Sequence, residues 1–227
     1  SKELQTFYLK CLDIIKNQIT SNSSGFTDKF IDLIKTLSKE AAIQPLLKFF
    51  LRHITEVISV TSRNIMHLNV ALTLAKALFS NPNLENEPFI QTYTSIATTL
   101  LLSRFPFEDD FNFNINMILN TNNPQLHQKD FEKCISIDQG ISIRNSAADF
   151  LGIIVQRFGK QFPDLNQRIA EFLTNIIFDT RILSISQYGA VLGLQRIDLE
   201  IVRSILITSI DAIIIKIKND MRNVYQN

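Results

Sequence analysis

Apolar residues spaced three and four apart recur along almost the whole chain, and that rhythm leaves helices as the main way to fold it. Leu4, Phe7, Cys11, Ile14 and Gln18 mark one helix face, with Tyr8, Leu12, Ile15 and Ile19 in the adjacent column. Asn22-Ser23-Ser24-Gly25 breaks the run as a turn. Phe26, Phe30, Leu33, Ile34 and Leu37 then mark a second helix. Pro45 stands where the first turn of a third helix tolerates it, followed by Leu46, Phe49, Phe50, Ile54, Val57 and Ile58. A fourth carries Ile65, Leu68, Leu72, Ala75 and Phe79 and stops at Asn81-Pro82. A fifth starts near Pro88 and carries Ile96, Leu100 and Leu101.

From Phe105 to about Asp138 the rhythm fails. The stretch is rich in Asn, Asp and Phe and reads as a long irregular connection, with a short helical turn around Lys129 to Cys134. Connections this long usually carry function or disorder. Its aromatics (Phe105, Phe107, Phe111, Phe113) point to some packing back on the body. Spacing resumes at Ile143, Ala147, Phe150, Leu151, Ile154 and Phe158, and Phe162-Pro163-Asp164 opens a helix with Leu165, Ile169, Phe172, Leu173 and Ile176. A helix follows from about Ile182. The last, capped by Asp198, carries Leu199, Val202, Leu206, Ile210, Ile213 and Ile217.

The helix from Ile182 contains Gln187-Tyr188-Gly189-Ala190-Val191-Leu192-Gly193-Leu194. Glycine inside a helix costs roughly 1 kcal/mol relative to Ala, so two of them four apart need a reason. Positions i and i+4 share a face. Gly189 and Gly193, with Ala190 beside them, therefore form a bare stripe that admits a second helix at short range. Ala147, Ala148 and Gly152 thin the preceding helix in the same way. Roughly nine or ten helices recurring in pairs about every 40 residues define an all-α solenoid of the HEAT or armadillo kind. It has roughly five pairs and forms a single domain over 1–227.

A family resemblance rests on three ordered landmarks. Leu78, Asn81-Pro82-Asn83-Leu84 and Glu87-Pro88-Phe89 come first. Arg144 with Ala147-Ala148, Phe158-Gly159 and Gln167-Arg168-Ile169 come next. Tyr188-Gly189-Ala190 with Gly193-Leu194 closes the set, so that Leu46 to about Leu206 is covered. This resembles the C-terminal HEAT-repeat domain of the TBP-associated factor six family, a subunit of the general transcription factor TFIID. The chain departs from the pattern at Asn145, where Asp is expected, and after Leu194, where Arg196-Ile197 replaces an expected Gly. The resemblance implies a nuclear, non-enzymatic scaffold in transcription initiation, bound to other TFIID subunits and, in some organisms, to the related SAGA coactivator. It also implies that two copies of the domain can meet. The chain begins Ser1-Lys2 without Met, which reads as a fragment of a longer protein.

His53, His67 and His127 lie far apart, and no metal-ligand spacing joins them. Cys11 sits on a core face and Cys134 has no His-Asp partner pattern; two isolated cysteines suit a reducing compartment. Glu108-Asp109-Asp110 is a solvated carboxylate run. There is no phosphate loop and no nucleophile elbow, so no catalytic residue, cofactor or metal is expected. The apolar stretch Ile205 to Ile217, interrupted by Asp211 and Lys216, is too short to span a bilayer.

A formal net charge of +1 argues against more than weak DNA contact, although Lys216, Lys218 and Arg222 share a side of the last helix. An importin-like peptide adaptor is the alternative, but its Asn–Trp ladder has no counterpart in a chain without Trp. Arg144 and Arg168 are expected at helix starts or turns, with polar contacts to the neighbouring repeat. Arg157, Lys160, Arg181 and Gln187 are the candidate partner surface.

Overall fold

The computed structural model describes residues 2–21, 25–60, 64–103, 124–179 and 181–197. Over 124–137 and at Ser184 it describes the backbone alone, and six positions between Arg203 and Lys218 are added. Eight α-helices lie among these residues: α1 (Lys2–Thr20), α2 (Asp28–Leu37), α3 (Leu47–Val60), α4 (Ile65–Ser80), α5 (Ile90–Leu101), α6 (Pro124–Phe158), α7 (Pro163–Phe178) and α8 (Ser184–Ile197). No strand occurs among them.

The helices pair in chain order and stack in two layers. Within pairs, α1 packs on α2, α3 on α4, α5 on α6 and α7 on α8. The even helices run α2–α4–α6–α8 as one layer. The odd helices form the other, with α3 on α5, and with Tyr8 of α1 placing its ring 5.0 Å from that of Phe50 in α3. From α3 onward each odd helix is opened by a proline: Pro45 and Pro88 sit in short 3-10 turns, and Pro163 starts α7. Proline fits there because the first helical turn has no intrahelical partner for its missing N–H. Phe50, Ile54, Leu72, Leu78, Tyr93, Leu100, Phe150 and Leu151 are buried where the layers meet.

One expectation is corrected. The irregular connection expected to about Asp138 ends sooner, because the chain is helical from Pro124 and α6 runs for 35 residues. Gln, Lys, Asp and Glu dominate its first turns, and such a helix has no apolar rhythm to read. Residues 104–123, the Asn22-Ser23-Ser24 turn, Asp198 and the apolar positions Leu199, Val202, Leu206, Ile210, Ile213 and Ile217 lie outside the described residues. Arg203, Ile207, Asp211, Ile214, Ile215 and Lys218 are helical and exposed.

Candidate interaction surface

The last four carbonyls of a helix have no intrahelical donor. In a stack of helices many of these ends are kept from water. Here side chains from elsewhere in the stack supply the donors. At the end of α2, Asn81 Nδ2 donates to Leu37 O at 2.9 Å and to Glu40 O at 3.0 Å, while Asn83 Nδ2 donates to Lys39 O at 2.7 Å. At the end of α4, Arg157 Nη1 donates to Phe79 O at 2.7 Å and Asn86 Nδ2 donates to the same oxygen at 3.2 Å. Asn86 is held in turn by the Tyr93 hydroxyl, which donates to its Oδ1 at 2.8 Å. At the end of α7, Gln187 Nε2 donates to Ile177 O at 2.8 Å and Asp179 O at 3.0 Å.

The end of α5 is closed by a buried cation. Arg144 of α6 is 0% exposed and donates to Ser103 O at 2.5 Å and to Gly140 O at 2.7 Å. A cation beside exposed helical carbonyls is favourable in charge as well as in hydrogen bonding. Burial pulls the Arg144 guanidinium down to about 10, opposed by the nearby Tyr188. From α8, Ser186 Oγ donates to Leu102 O at 2.8 Å.

The glycine stripe explains how α8 comes so near. A Cβ on Gly189 would collide with the Leu101 carbonyl oxygen. One on Gly193 would lie 2.6 Å from Leu101 Cδ2 and 2.9 Å from Leu173 Cδ1. Ala147, Ala148 and Ala190 are buried, and a Cβ on Gly152 would lie 3.2 Å from Arg196 Cβ. Arg196 Nε in turn bonds Asp149 Oδ1 at 2.6 Å, tying α8 to α6.

Several expected sites stand elsewhere than the sequence placed them. Arg144 lies inside α6 rather than at a helix start, since α6 begins 20 residues earlier at Pro124. Arg168 makes no inter-repeat bond among the described residues: it is exposed, and its Nε donates to Asp164 O of its own helix at 3.3 Å. Arg157 is not a free surface cation, because its head lies 5.2 Å from the Phe79 ring and 5.4 Å from the Phe158 ring while it caps α4. Gln187 is likewise occupied, at the end of α7.

Lys160 and Arg181 are exposed, and both Asp179 oxygens accept bonds from Arg181. Asn81, Asn86 and Ser186 are buried polar residues whose roles sequence reading missed. In the sequence Asn81 marks a helix stop and belongs to a family landmark, with no sign of its capping role.

Other polar groups converge on no reactive arrangement among the described residues, and no cluster of three metal-ligating side chains occurs there. His53 and His67 lie on α3 and α4. Burial lowers the pKa of both, and the buried Nδ1 of His67 has no hydrogen-bond partner among the described residues. Burial pushes the Cys11 thiol up to about 11, far from thiolate reactivity. The side chains of His127 and Cys134, the Glu108-Asp109-Asp110 run, Lys216 and Arg222 lie outside the described residues. No described helix is long and apolar enough to cross a membrane.

Helices paired in chain order and stacked in two layers, with polar side chains of some repeats closing helix ends of others, define an α-solenoid of the HEAT type. The chain belongs to the family described as the TAF6 C-terminal HEAT repeat domain, which matches residues 1–211. Among curated proteins it is similar to transcription initiation factor TFIID subunit 6 of Arabidopsis thaliana, with 20% identity over 93% of this chain and 33% of that protein. It is also similar to the SAGA complex/transcription factor TFIID complex subunit Taf6 of Schizosaccharomyces pombe, with 23% identity over 92% of this chain and 40% of that protein. The chain thus spans well under half the length of these relatives. The solved TAF6 C-terminal domain from Antonospora locustae shares the fold, with a TM-score of 0.71 at 19% identity over 100% of this chain and 97% of that one.

Proposed function

We propose that this chain is the helical-repeat scaffold of a TFIID subunit, acting in the nucleus in RNA polymerase II transcription initiation by holding other subunits and catalysing no reaction. The observation that carries this reading is family membership over residues 1–211, together with the names of the relatives as TFIID subunits. A solenoid suits the role because it binds through extended surfaces assembled from successive repeats. Its helix ends are closed from within, so its outer faces are available for partners. A second copy of the domain is among those partners. The DNA-contact alternative is weakened by the use of Arg157 inside the fold.

The test is capture of TFIID subunits from nuclear extract by the tagged chain, with crosslinking and mass spectrometry to locate contacts. Enrichment of several TFIID subunits is expected. A folded chain that enriches none of them sinks the proposal. Lys160→Glu with Arg181→Glu should weaken capture and leave melting unchanged. Arg181 is 86% exposed, and exposed ion pairs contribute only ~0–1 kcal/mol. Tight, salt-sensitive binding of duplex DNA, lost in that variant, would transfer the surface to nucleic acid.

A further inference from the structure

The described positions of the last helical stretch, Arg203, Ile207, Asp211, Ile214, Ile215 and Lys218, are all exposed. At 3.6 residues per turn they fall within about a third of the helix circumference, so they form one outward face. Its middle is apolar: Ile207 is 74% exposed, Ile214 42% and Ile215 59%. Single exposed apolar residues need no explanation, but three on one helix face make a patch.

Two opposite charges bracket Ile214 and Ile215. Asp211 comes three residues before the first, and Lys218 three residues after the second. Neither has a hydrogen-bond or ion-pair partner among the described residues. Side chains on a helix pair at spacings of three and four. For Asp211 those neighbours are Ile207, Thr208, Ile214 and Ile215; for Lys218 they are Ile214, Ile215, Met221 and Arg222. No opposite charge is among them. The two charges themselves stand about 10 Å apart along the axis, too far to meet.

The order acid, Ile, Ile, base matches itself when reversed. An antiparallel copy with its two-fold axis between positions 214 and 215 sets Asp211 against the partner's Lys218 and Ile214 against the partner's Ile215, each twice. Such self-complementarity is what a two-fold contact between identical chains requires. A register centred on Ile207 is poorer: it turns Asp211 toward the partner's Arg203, which is already engaged, and brings Lys218 opposite the partner's Arg196. A formal net charge of +1 sets up no general repulsion between copies.

We propose that two copies of this chain pair antiparallel through the outer face of the last helix, with Ile214 and Ile215 of both copies at the centre and an Asp211–Lys218 ion pair at each end. The inference rests on the scaffold reading above and gives the second copy in it a surface, an orientation and a register. One helix face from each copy is a small interface, so the pairing is reversible and in the micromolar range.

Sedimentation equilibrium of the full chain tests it. Asp211→Lys and Lys218→Asp should each weaken dimerisation by about tenfold or more, because like charges then face each other across the axis. Mixed in equal amounts, the two single variants should associate with each other as tightly as the wild type does with itself, since one copy then presents only cations and the other only anions. The variant carrying both substitutions should also recover the dimer. These positions are exposed, so circular dichroism should show every variant folded.

A wild type that stays monomeric at about 100 μM overturns the proposal, since even small specific interfaces associate below that. A dimer that both single variants leave unchanged overturns it as well, and so does one that the mixture fails to restore. Ile215→Asp that lowers subunit capture by a monomeric wild-type chain would give the face to another subunit and overturn the pairing. Capture measured on the same proteins keeps the two readings apart. Capture by a monomeric chain removes the pairing and keeps the scaffold, whereas a charge-swappable dimer that captures nothing keeps the pairing and removes the scaffold.

Discussion

The ends of α4 and α5 solve one problem with opposite materials. At the end of α4 the stack uses bulk: the Phe79 ring lies 5.0 Å from Tyr93, 5.4 Å from Phe150 and 5.9 Å from Phe158, all edge to face. Rings of that size hold neighbouring helices apart, so the Arg157 head reaches the Phe79 carbonyl from the surface and stays partly in water. At the end of α5 the stack uses the absence of bulk. Gly189 and Gly193 let α8 rest on the Leu101 backbone, and the cation that closes this end, Arg144, is fully enclosed. Aromatic packing tolerates small adjustments because ring edges slide. A backbone carbonyl under a glycine has nowhere to go. Helix ends of equal need therefore differ in how much substitution they can absorb.

Gly189→Leu should give the largest effect. The new side chain meets a carbonyl oxygen rather than a flexible side-chain tip, and overpacking against backbone should cost roughly 3 kcal/mol or more. Differential scanning calorimetry should show the midpoint lowered by about 6–12 °C, at the ~2–4 °C per kcal/mol expected for a domain of this size. Gly193→Leu should cost less, because Leu101 and Leu173 can swing their methyl groups aside. If the two variants melt alike, the distinction between the backbone contact and the side-chain contact fails.

Arg144→Met comes next. It leaves the enclosed Ser103 carbonyl without its charged donor, a loss of about 1–3 kcal/mol. Arg157→Met removes the equivalent donor at α4, where Asn86 still donates to Phe79 O and water can reach the site, so about 1 kcal/mol or less is expected. Urea unfolding of the pair measures the difference directly. An Arg157 loss equal to that of Arg144 would break the contrast between an open and an enclosed cap.

The smallest effect comes from pH. Arg144, even lowered to about 10, stays charged at neutral pH and should not contribute. His53 and His67 should. Burial lowers both below the 6.5 of an exposed imidazole. Above that value folded and unfolded chains are both neutral at these positions, and the stability is fully present. As the pH falls through about 6.5 the unfolded chain takes up protons first, so stability declines until the folded pKa values are passed. The melting temperature should therefore drop between about pH 7.5 and 5.5. His53→Gln together with His67→Gln should flatten the slope, and an unchanged slope in that double variant would move the titration elsewhere.

Helices with one apolar face were legible in the sequence because burial of a face and a 3.6-residue period are the same fact seen twice. α1 to α3, α5 and α7 are of this kind, whereas α4 is buried nearly all round and α8 buries a face of small residues; the prolines at 45, 88 and 163 mark where odd helices begin. The first turns of α6 were not legible, since a run such as Gln125 to Lys133 contains good helix formers but no stripe. Pro124 followed by that composition was the available signal. The polar closures were less visible still. Asn81 and Leu37 are 44 positions apart, and Ser186 and Leu102 are 84 apart. Their meeting depends on the stacking register, which no local pattern encodes. Arg168 shows the converse, an arginine inside a family landmark whose fork the fold leaves open.

The proline-opened pairs look like interchangeable modules, yet the hydrogen bonds do not respect the module boundaries. Asn81, at the end of the second pair, completes α2 of the first; Arg157, at the end of the third, completes α4 of the second. A cut placed between pairs therefore strips donors from the repeat that remains, and a transplanted pair arrives with an open end. The indivisible unit of this protein is longer than its repeat, so truncation should remove stability in steps larger than one helix pair.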